Sequence, residues 1–338
     1  MLIKENKKQY TIHICDSIKN IEYMIRYIET YLLKKTKRII GIDFEFNRVN
    51  NMRQIALCQI NMEIYGDNNA IIFLFYPPDI VKHSDIFKRL LISPNIIKIL
   101  HGGESLDVPY LFNEVLLNTS DRKKFCENLF DTKYMCEYYN ISNNLINNKC
   151  KIYDLLLQMN VISSNKYNEL EENDKKMGNI WEINIKINKL SKNVIIYSLY
   201  DVLYLPDLFE KFPKTDVYIK LLPCINSYNL INRYNDNIIL QFNMISRYNT
   251  SYYENISFND IYISVYSWLI CYPYFDYLFQ INYFKKFYEI LIKNILYSKL
   301  SDEYKNKVYD NIIKDDTMNT LEMKKFQKNL CEHIIMML

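Results

Sequence analysis

The stretch GIDFEFNRVNNMRQIALCQI, residues 41–60, sets Asp43 and Glu45 inside an apolar run, IIGIDFEF, that otherwise reads as a buried strand. Side chains on a strand repeat every two residues, so the two carboxylates leave the same face while Phe44 and Phe46 point to the other. Two like charges in one small volume are costly to bury unless a cation compensates, and a hard divalent metal is the usual solution. The competing reading at this point is a pair of exposed acids on an edge strand.

The neighbouring segments give this strand a context. QYTIHIC (9–15) alternates as a strand, and Asp16-Ser17 offers a cap for a helix through IEYMIRYIETYLLKK. After RIIGIDFEF, the runs IALCQINM (55–62) and NAIIFLFYP (69–77) read as further strands parted by the turn-prone Gly66-Asp67-Asn68, an antiparallel meander. From Pro78 strand and helix alternate: DIVKHSDIFKRLLI is helical, IIKILHGG (96–103) is a strand, ESLDVPYLFNEVL is helical, and LFDT is a strand leading into more helix. That alternation implies parallel pairing through crossover helices. SSNKYNELEENDKKMGN (163–179) reads as a mobile polar loop, and 190–212 as one helix capped by Ser191 and stopped by Pro213. Residues 214–338 are helix-like, and 215–338 carry thirteen basic and thirteen acidic residues, so this region is electrically neutral.

A chain of 338 residues, 49% hydrophobic, has room for one large core or two domains. The net charge of +3 is too small to announce a nucleic-acid binder, so any such site must be local. The eight cysteines show no Cys-x-x-Cys pair and no zinc-ligand spacing, and read as small buried hydrophobes in a reducing, intracellular compartment. The first 30 residues lack the pattern of a signal peptide. The most apolar window, 261–275, falls short of the about 20 residues of a spanning helix and reads as a buried helix, so no membrane is expected as a partner.

Two further places carry chemistry. Asp107 follows the strand IIKILHGG, at the carboxyl end where open α/β sheets build their sites, and His101-Gly102-Gly103 lets the backbone turn sharply there. Alone, Asp107 also reads as a capping residue and His101 as a packed strand-end histidine. Tyr197 and Asp201 are four apart on a helix and so share a face, as a surface pair or as two members of a cleft.

A strand pair of acids, an acid at a helix start, and an acid late in a helix four residues after a tyrosine together resemble the DEDDy branch of the DEDD 3'-5' exonucleases. That group includes RNase D, the nuclear-exosome exonuclease subunit and the Werner helicase exonuclease domain. GIDFEFNRVNNMRQIALCQI resembles the family's first motif, KILHGGESLDVPYLF its second and WEINIKINKLSKNVIIYSLYDVLYLPDL its third, with LFDTKYMCEYY similar to its connecting Asp-Thr segment. The likeness covers roughly residues 9 to 213. In the RNase D relatives the second-motif Asp lies one residue nearer the histidine. Asp107 keeps Leu111 in register and is preferred to Glu104, with a one-residue extension at the Gly pair.

The resemblance implies an α/β, RNase H-like three-layer fold with a mixed central sheet over residues 1–213. A mostly α-helical domain over 214–338 follows; its role is open and it does not resemble the RNase D accessory domain. It implies hydrolysis of nucleic acid from a single-stranded 3' end to nucleoside 5'-monophosphates, with RNA favoured over DNA by the likeness to RNase D. Two divalent cations, Mg²⁺ or Mn²⁺, are the expected cofactors. Asp43 is expected to bridge them, Glu45 and Asp201 to complete the water-activating site, Asp107 to hold the second ion through water, and Tyr197 to orient the attacking water. Phe44, Phe46, Arg48, Arg53, His101, Lys175 and Lys176 are candidates for contacts to the terminal nucleotide and backbone, although Phe44 also reads as core and the lysines as a solvated face. Two other classes stay in view: a catalytically silent scaffold for nucleic acid or protein, and an assembly protein in which the neutral helical half dominates, the exonuclease fold serves as a docking platform and 214–338 offers a surface for a protein partner.

Overall fold

In the computed structural model, residues 1–215 are described apart from 50, 51, 144 and 146–148, together with 218, 219, 223 and 230. The apolar window 261–275 and nearly all of the expected C-terminal helical region lie outside the described residues. Among the described residues, seven strands form one mixed sheet. They are β1 (Leu2–Glu5), β2 (Lys8–Cys15), β3 (Arg38–Val49), β4 (Met52–Ile64), β5 (Asn69–Phe75), β6 (Ile96–Leu100) and β7 (Leu129–Asp131), in the order β1-β2-β5-β4-β3-β6-β7. β3, β4 and β5 form the expected antiparallel meander. The pairs β2 with β5, β3 with β6, and β6 with β7 are parallel, and the chain passes from β6 to β7 through helices alone.

The helices are α1 (Ile18–Leu33), α2 (Pro77–His83), α3 (Ile86–Leu91), α4 (Asp107–Tyr110), α5 (Thr119–Cys126), α6 (Thr132–Ser142), α7 (Ile152–Gln158), α8 (Ser164–Met177), α9 (Lys192–Leu203) and α10 (Leu205–Lys211). Among the described residues none is long and apolar enough to cross a membrane. The polar segment expected as a loop is the helix α8. The Ser163 hydroxyl accepts from Lys166 N at 3.2 Å, Gly178 ends the helix at φ 74°, Lys176 lies 3.8 Å from Glu172 one turn back, and Leu170 supplies a buried anchor. Caps and charge pairs sustain a helix that hydropathy alone reads as loop.

The expected helix 190–212 begins as foreseen, with Ser191 accepting from Val194 N at 3.3 Å, but it breaks at Tyr204 into α9 and α10. Pro206 has no N–H to give the Val202 carbonyl four residues earlier. The side chain of Asn61 on β4 donates there instead, at 3.3 Å to Val202 O and 3.1 Å to Leu203 O. Two residues along, the buried Glu63 accepts from Lys8 Nζ at 2.6 Å, and the same ammonium donates to Asp207 on α10 at 2.6 Å. β3 helps from the opposite position in register: Gly41 pairs with Asn61, and a Cβ on Gly41 would lie 2.9 Å from Val202 O. The sequence therefore docks α9 and α10 on the sheet by leaving a side chain off one strand and lining the next with buried polar groups.

The chain divides into two compact units, Met1–Met135 with Lys149–Ser227, and Cys136–Asn148 with Tyr228–Leu338. Cys15, Cys58 and Cys126 are buried and outside any disulfide, as expected. Cys136 and Cys150 depart from the expectation of uniformly reduced cysteines, since each is disulfide-bonded. Pairing depends on Cα separation in the folded chain, which spacing along the sequence does not encode.

Candidate active site

The alternation on β3 does what the sequence demands. Asp43 sits opposite Gln59 on β4 and Glu45 opposite Leu57, and a bulge follows, because Phe46 pairs with Ile55 and leaves Ala56 extra. Bulges re-aim side chains beside functional sites. Asp201, near the C-terminal end of α9, comes down on this face. Asp43, Glu45 and Asp201 each offer a carboxylate oxygen, and these oxygens all lie within 4.8 Å of one another. Acids 156 positions apart in sequence thus share one small volume.

Asp107 opens α4 and is buried. It lies outside that trio, yet its carboxyl group feels the charges of Asp43 and Asp201, and Glu45 feels it in turn. The turn that presents it is built by Asp131 at the end of β7. One Asp131 oxygen accepts from Gly102 N at 2.9 Å, the other from Gly103 N at 3.0 Å. Gly102 takes φ +71°, which favours glycine, and a Cβ on Gly103 would meet Leu100 Cδ2 at 2.5 Å, so that side chain would have to shift. Glu104, the other candidate for the second motif, is buried with one carboxylate oxygen 3.1 Å from Lys133 Nζ.

The electrostatics follow from four neighbouring carboxylates, none in an ion pair among the described residues. Burial pushes Asp43 up to about 7. Burial, and then the charge of Asp43, holds Glu45, Asp107 and Asp201 well above the usual carboxylate range. Tyr197, one turn before Asp201, is raised first by that carboxylate and then by burial, so its hydroxyl keeps its proton and serves as a donor. A cluster of anionic oxygens with no cation of its own suits a hard divalent ion. The donor set therefore fits Mg²⁺ or Mn²⁺.

The other candidates scatter. Phe44 is buried, 5.7 Å between ring centroids from Tyr110, and Phe46 is half-buried and edge-on to the same ring at 6.2 Å. Arg48 and Arg53 are exposed and directly paired across the β3–β4 hairpin. Lys175 and Lys176 are exposed in the last turn of α8. His101 is engaged at both ring nitrogens, Nε2 with the Cys150 carbonyl at 3.0 Å and Nδ1 with Thr132 Oγ1 at 2.9 Å, which leaves it bracing the turn rather than facing a ligand.

Sequence reasoning missed three residues here. Asp174 on α8, pushed by burial to about 6, accepts from Tyr153 OH at 3.3 Å and adds its charge to Glu45 and Asp201. Its place in the polar stretch 163–179 hides it, while its partner Tyr153 lies on α7 in an apolar helical run that gives no sign of a contact with a residue 21 positions on. Gln59 lies in a run that reads as an apolar strand, although two amides two residues apart in IALCQINM, Gln59 and Asn61, are themselves a signal.

Residues 13–215 match the 3'-5' exonuclease family. Over 209 residues the chain is 32% identical to an uncharacterized protein of Acanthamoeba polyphaga mimivirus, an alignment covering 58% of this chain and 40% of that relative, so it spans less than half of the relative's length. Among solved structures, Trypanosoma brucei RNase D in complex with GMP is similar at 14% identity, with a TM-score of 0.45, over 67% of this chain and 64% of that one. The exonuclease domain of Aedes aegypti Nibbler is similar at 14% identity, with a TM-score of 0.36, over 65% of this chain and 95% of that one. The family match contains every one of the four acids and Tyr197, and the chain belongs to the 3'-5' exonuclease family.

Proposed function

We propose that this chain hydrolyses nucleic acid from the 3' end in a metal-dependent reaction that releases nucleoside 5'-monophosphates, with RNA as the favoured polymer. The observation that carries the reading is the meeting of Asp43, Glu45 and Asp201 oxygens within 4.8 Å of one another. Two divalent cations, Mg²⁺ or Mn²⁺, would supply an acidified water and relief of charge on the departing 3' oxygen. Asp43, Glu45, Asp107 and Asp201 are the residues that would hold them. In the reaction the oxygen of water bonds to phosphorus, the P–O3' bond breaks, and the leaving oxygen ends as a new 3'-hydroxyl. Tyr197, protonated, donates a hydrogen bond that orients the attacking oxygen. Phe46 and Tyr110 offer half-buried aromatic faces to the terminal nucleotide, while Arg48, Arg53, Lys175 and Lys176 supply salt-sensitive contacts to phosphates. The preference for RNA rests on the likeness of all three motifs to RNase D. The catalytic domain is proposed as 1–213, with 214–338 as a separate helical domain whose role is open.

The test is release of mononucleotides from matched, 3'-labelled single strands of RNA and DNA in Mg²⁺ and in Mn²⁺. Loss of release in Asp43→Ala, with faster RNA than DNA turnover in the parent chain, is the expected result. No release from either polymer together with no Mn²⁺ binding would overturn the proposal in favour of a silent scaffold.

A further inference from the structure

We infer that Gln59, acting with Ser198, is a positioning residue for the acidic site: its amide orients the Asp43 carboxylate for cation binding and ties the helix that carries Asp201 to it. This deepens, and rests on, the metal-dependent reading above. Gln59 is wholly buried and sits directly opposite Asp43 in the β3–β4 register. With its amide nitrogen toward β3 it donates to the Asp43 carbonyl at 2.6 Å and to Asp43 Oδ2 at 3.2 Å, and its amide oxygen accepts from Ser198 Oγ at 3.2 Å. The reverse orientation would set the amide oxygen against two oxygens of Asp43, which is repulsive. Ser198 is also fully buried, one residue after Tyr197 and three before Asp201.

A neutral amide suits this place because it is two-sided. Its N–H takes one lone pair of the Asp43 carboxylate, at Oδ2. Its oxygen fixes the turn of α9 that bears both Tyr197 and Asp201. A carboxylate that must ligate a metal is held in one rotamer by such outer hydrogen bonds, and their loss typically costs about 10–100-fold in metal affinity or activity. The link is separable from the docking of the helix. Asn61 holds the Val202 and Leu203 carbonyls independently, so removing the Gln59 amide leaves α9 on the sheet.

The experiment measures Mn²⁺ binding to the full chain by electron paramagnetic resonance of the free ion, alongside the Mn²⁺ dependence of oligonucleotide hydrolysis and the thermal unfolding of each variant. Gln59→Met keeps the side-chain volume and deletes the amide. It is expected to unfold within a few degrees of the parent while its Mn²⁺ dissociation constant rises about 10-fold or more. Ser198→Ala, which leaves the donation to Asp43 intact, is expected to show a smaller rise of about threefold, and it decides the matter if Gln59→Met does not fold. Parent-like Mn²⁺ binding in a folded Gln59→Met, or in Ser198→Ala where that variant must decide, overturns the inference and leaves the exonuclease reading standing. A parent chain that binds no Mn²⁺ overturns the metal-dependent reading, and this inference with it.

Discussion

Asp43 shows at the scale of one residue how a site built for cations taxes the fold that carries it. Its carboxyl group, ordinarily near 3.8, is raised to about 7 by burial. A group raised in the folded state stabilises the fold at acid pH and loses that contribution as pH climbs through the raised value. In EDTA at pH 7.5, Asp43→Asn is therefore expected to unfold later than the parent, with a gain of about 1–3 kcal/mol, while its hydrolytic activity is lost. Thermal unfolding and product release, measured on the same preparation, check the two halves. Lys98 poses the reverse case away from the site. It is fully buried on β6, its ammonium has no hydrogen-bond partner among the described residues, and burial lowers it from 10.5 to about 8. Between those values the unfolded chain holds the proton more tightly, so the neutral amine's contribution is complete only above 10.5 and is lost as pH falls to 8. Lys98→Met is expected to raise stability by about 2–3 kcal/mol at pH 7, with the advantage shrinking toward pH 10, in denaturant titrations at both values.

At the scale of elements, what could be read in the sequence divides by the range of the signal. Period-two alternation placed β2 to β5, and the alternation of strand and helix placed β6 and β7, because those patterns are local. Asp43 and Glu45 were legible since a strand forces i and i+2 onto one face, and Tyr197 with Asp201 since a helix aligns i and i+4. The break at Tyr204 was not, because it depends on Asn61 reaching carbonyls that Pro206 cannot serve, a contact 141 residues long. α8 was not, because its caps outweigh its polarity. The docking of α9 rests on the bare Cα of Gly41, where an added Cβ would stand 2.9 Å from Val202 O, a backbone atom that cannot swing aside. Gly41→Ala is expected to cost about 1–3 kcal/mol by overpacking. By lifting Asp201 from Asp43 and Glu45 it should also lower turnover about 10- to 100-fold, more than Ala at an exposed helix position would. Steady-state kinetics on the folded variant distinguishes that outcome from simple instability.

For the molecule as a whole, the repulsion stored in the four acids makes folding and cation binding one equilibrium. Mn²⁺ at a hundred times its dissociation constant is expected to stabilise the parent by about 2.7 kcal/mol per site, and calorimetric scans with and without the ion should show no such gain in Asp43→Asn. Among the described residues, the sheet that supports this site ends on one side at β1, of four residues, and on the other at β7, of three. Rims so short give an incoming strand little to template upon. Removing residues 1–7 would uncover the eight-residue β2, KQYTIHIC, as the new margin. Such a truncated chain is expected to form thioflavin-positive fibrils under conditions where the parent stays dispersed, which would make β1 a guard against self-assembly rather than a part of the catalyst.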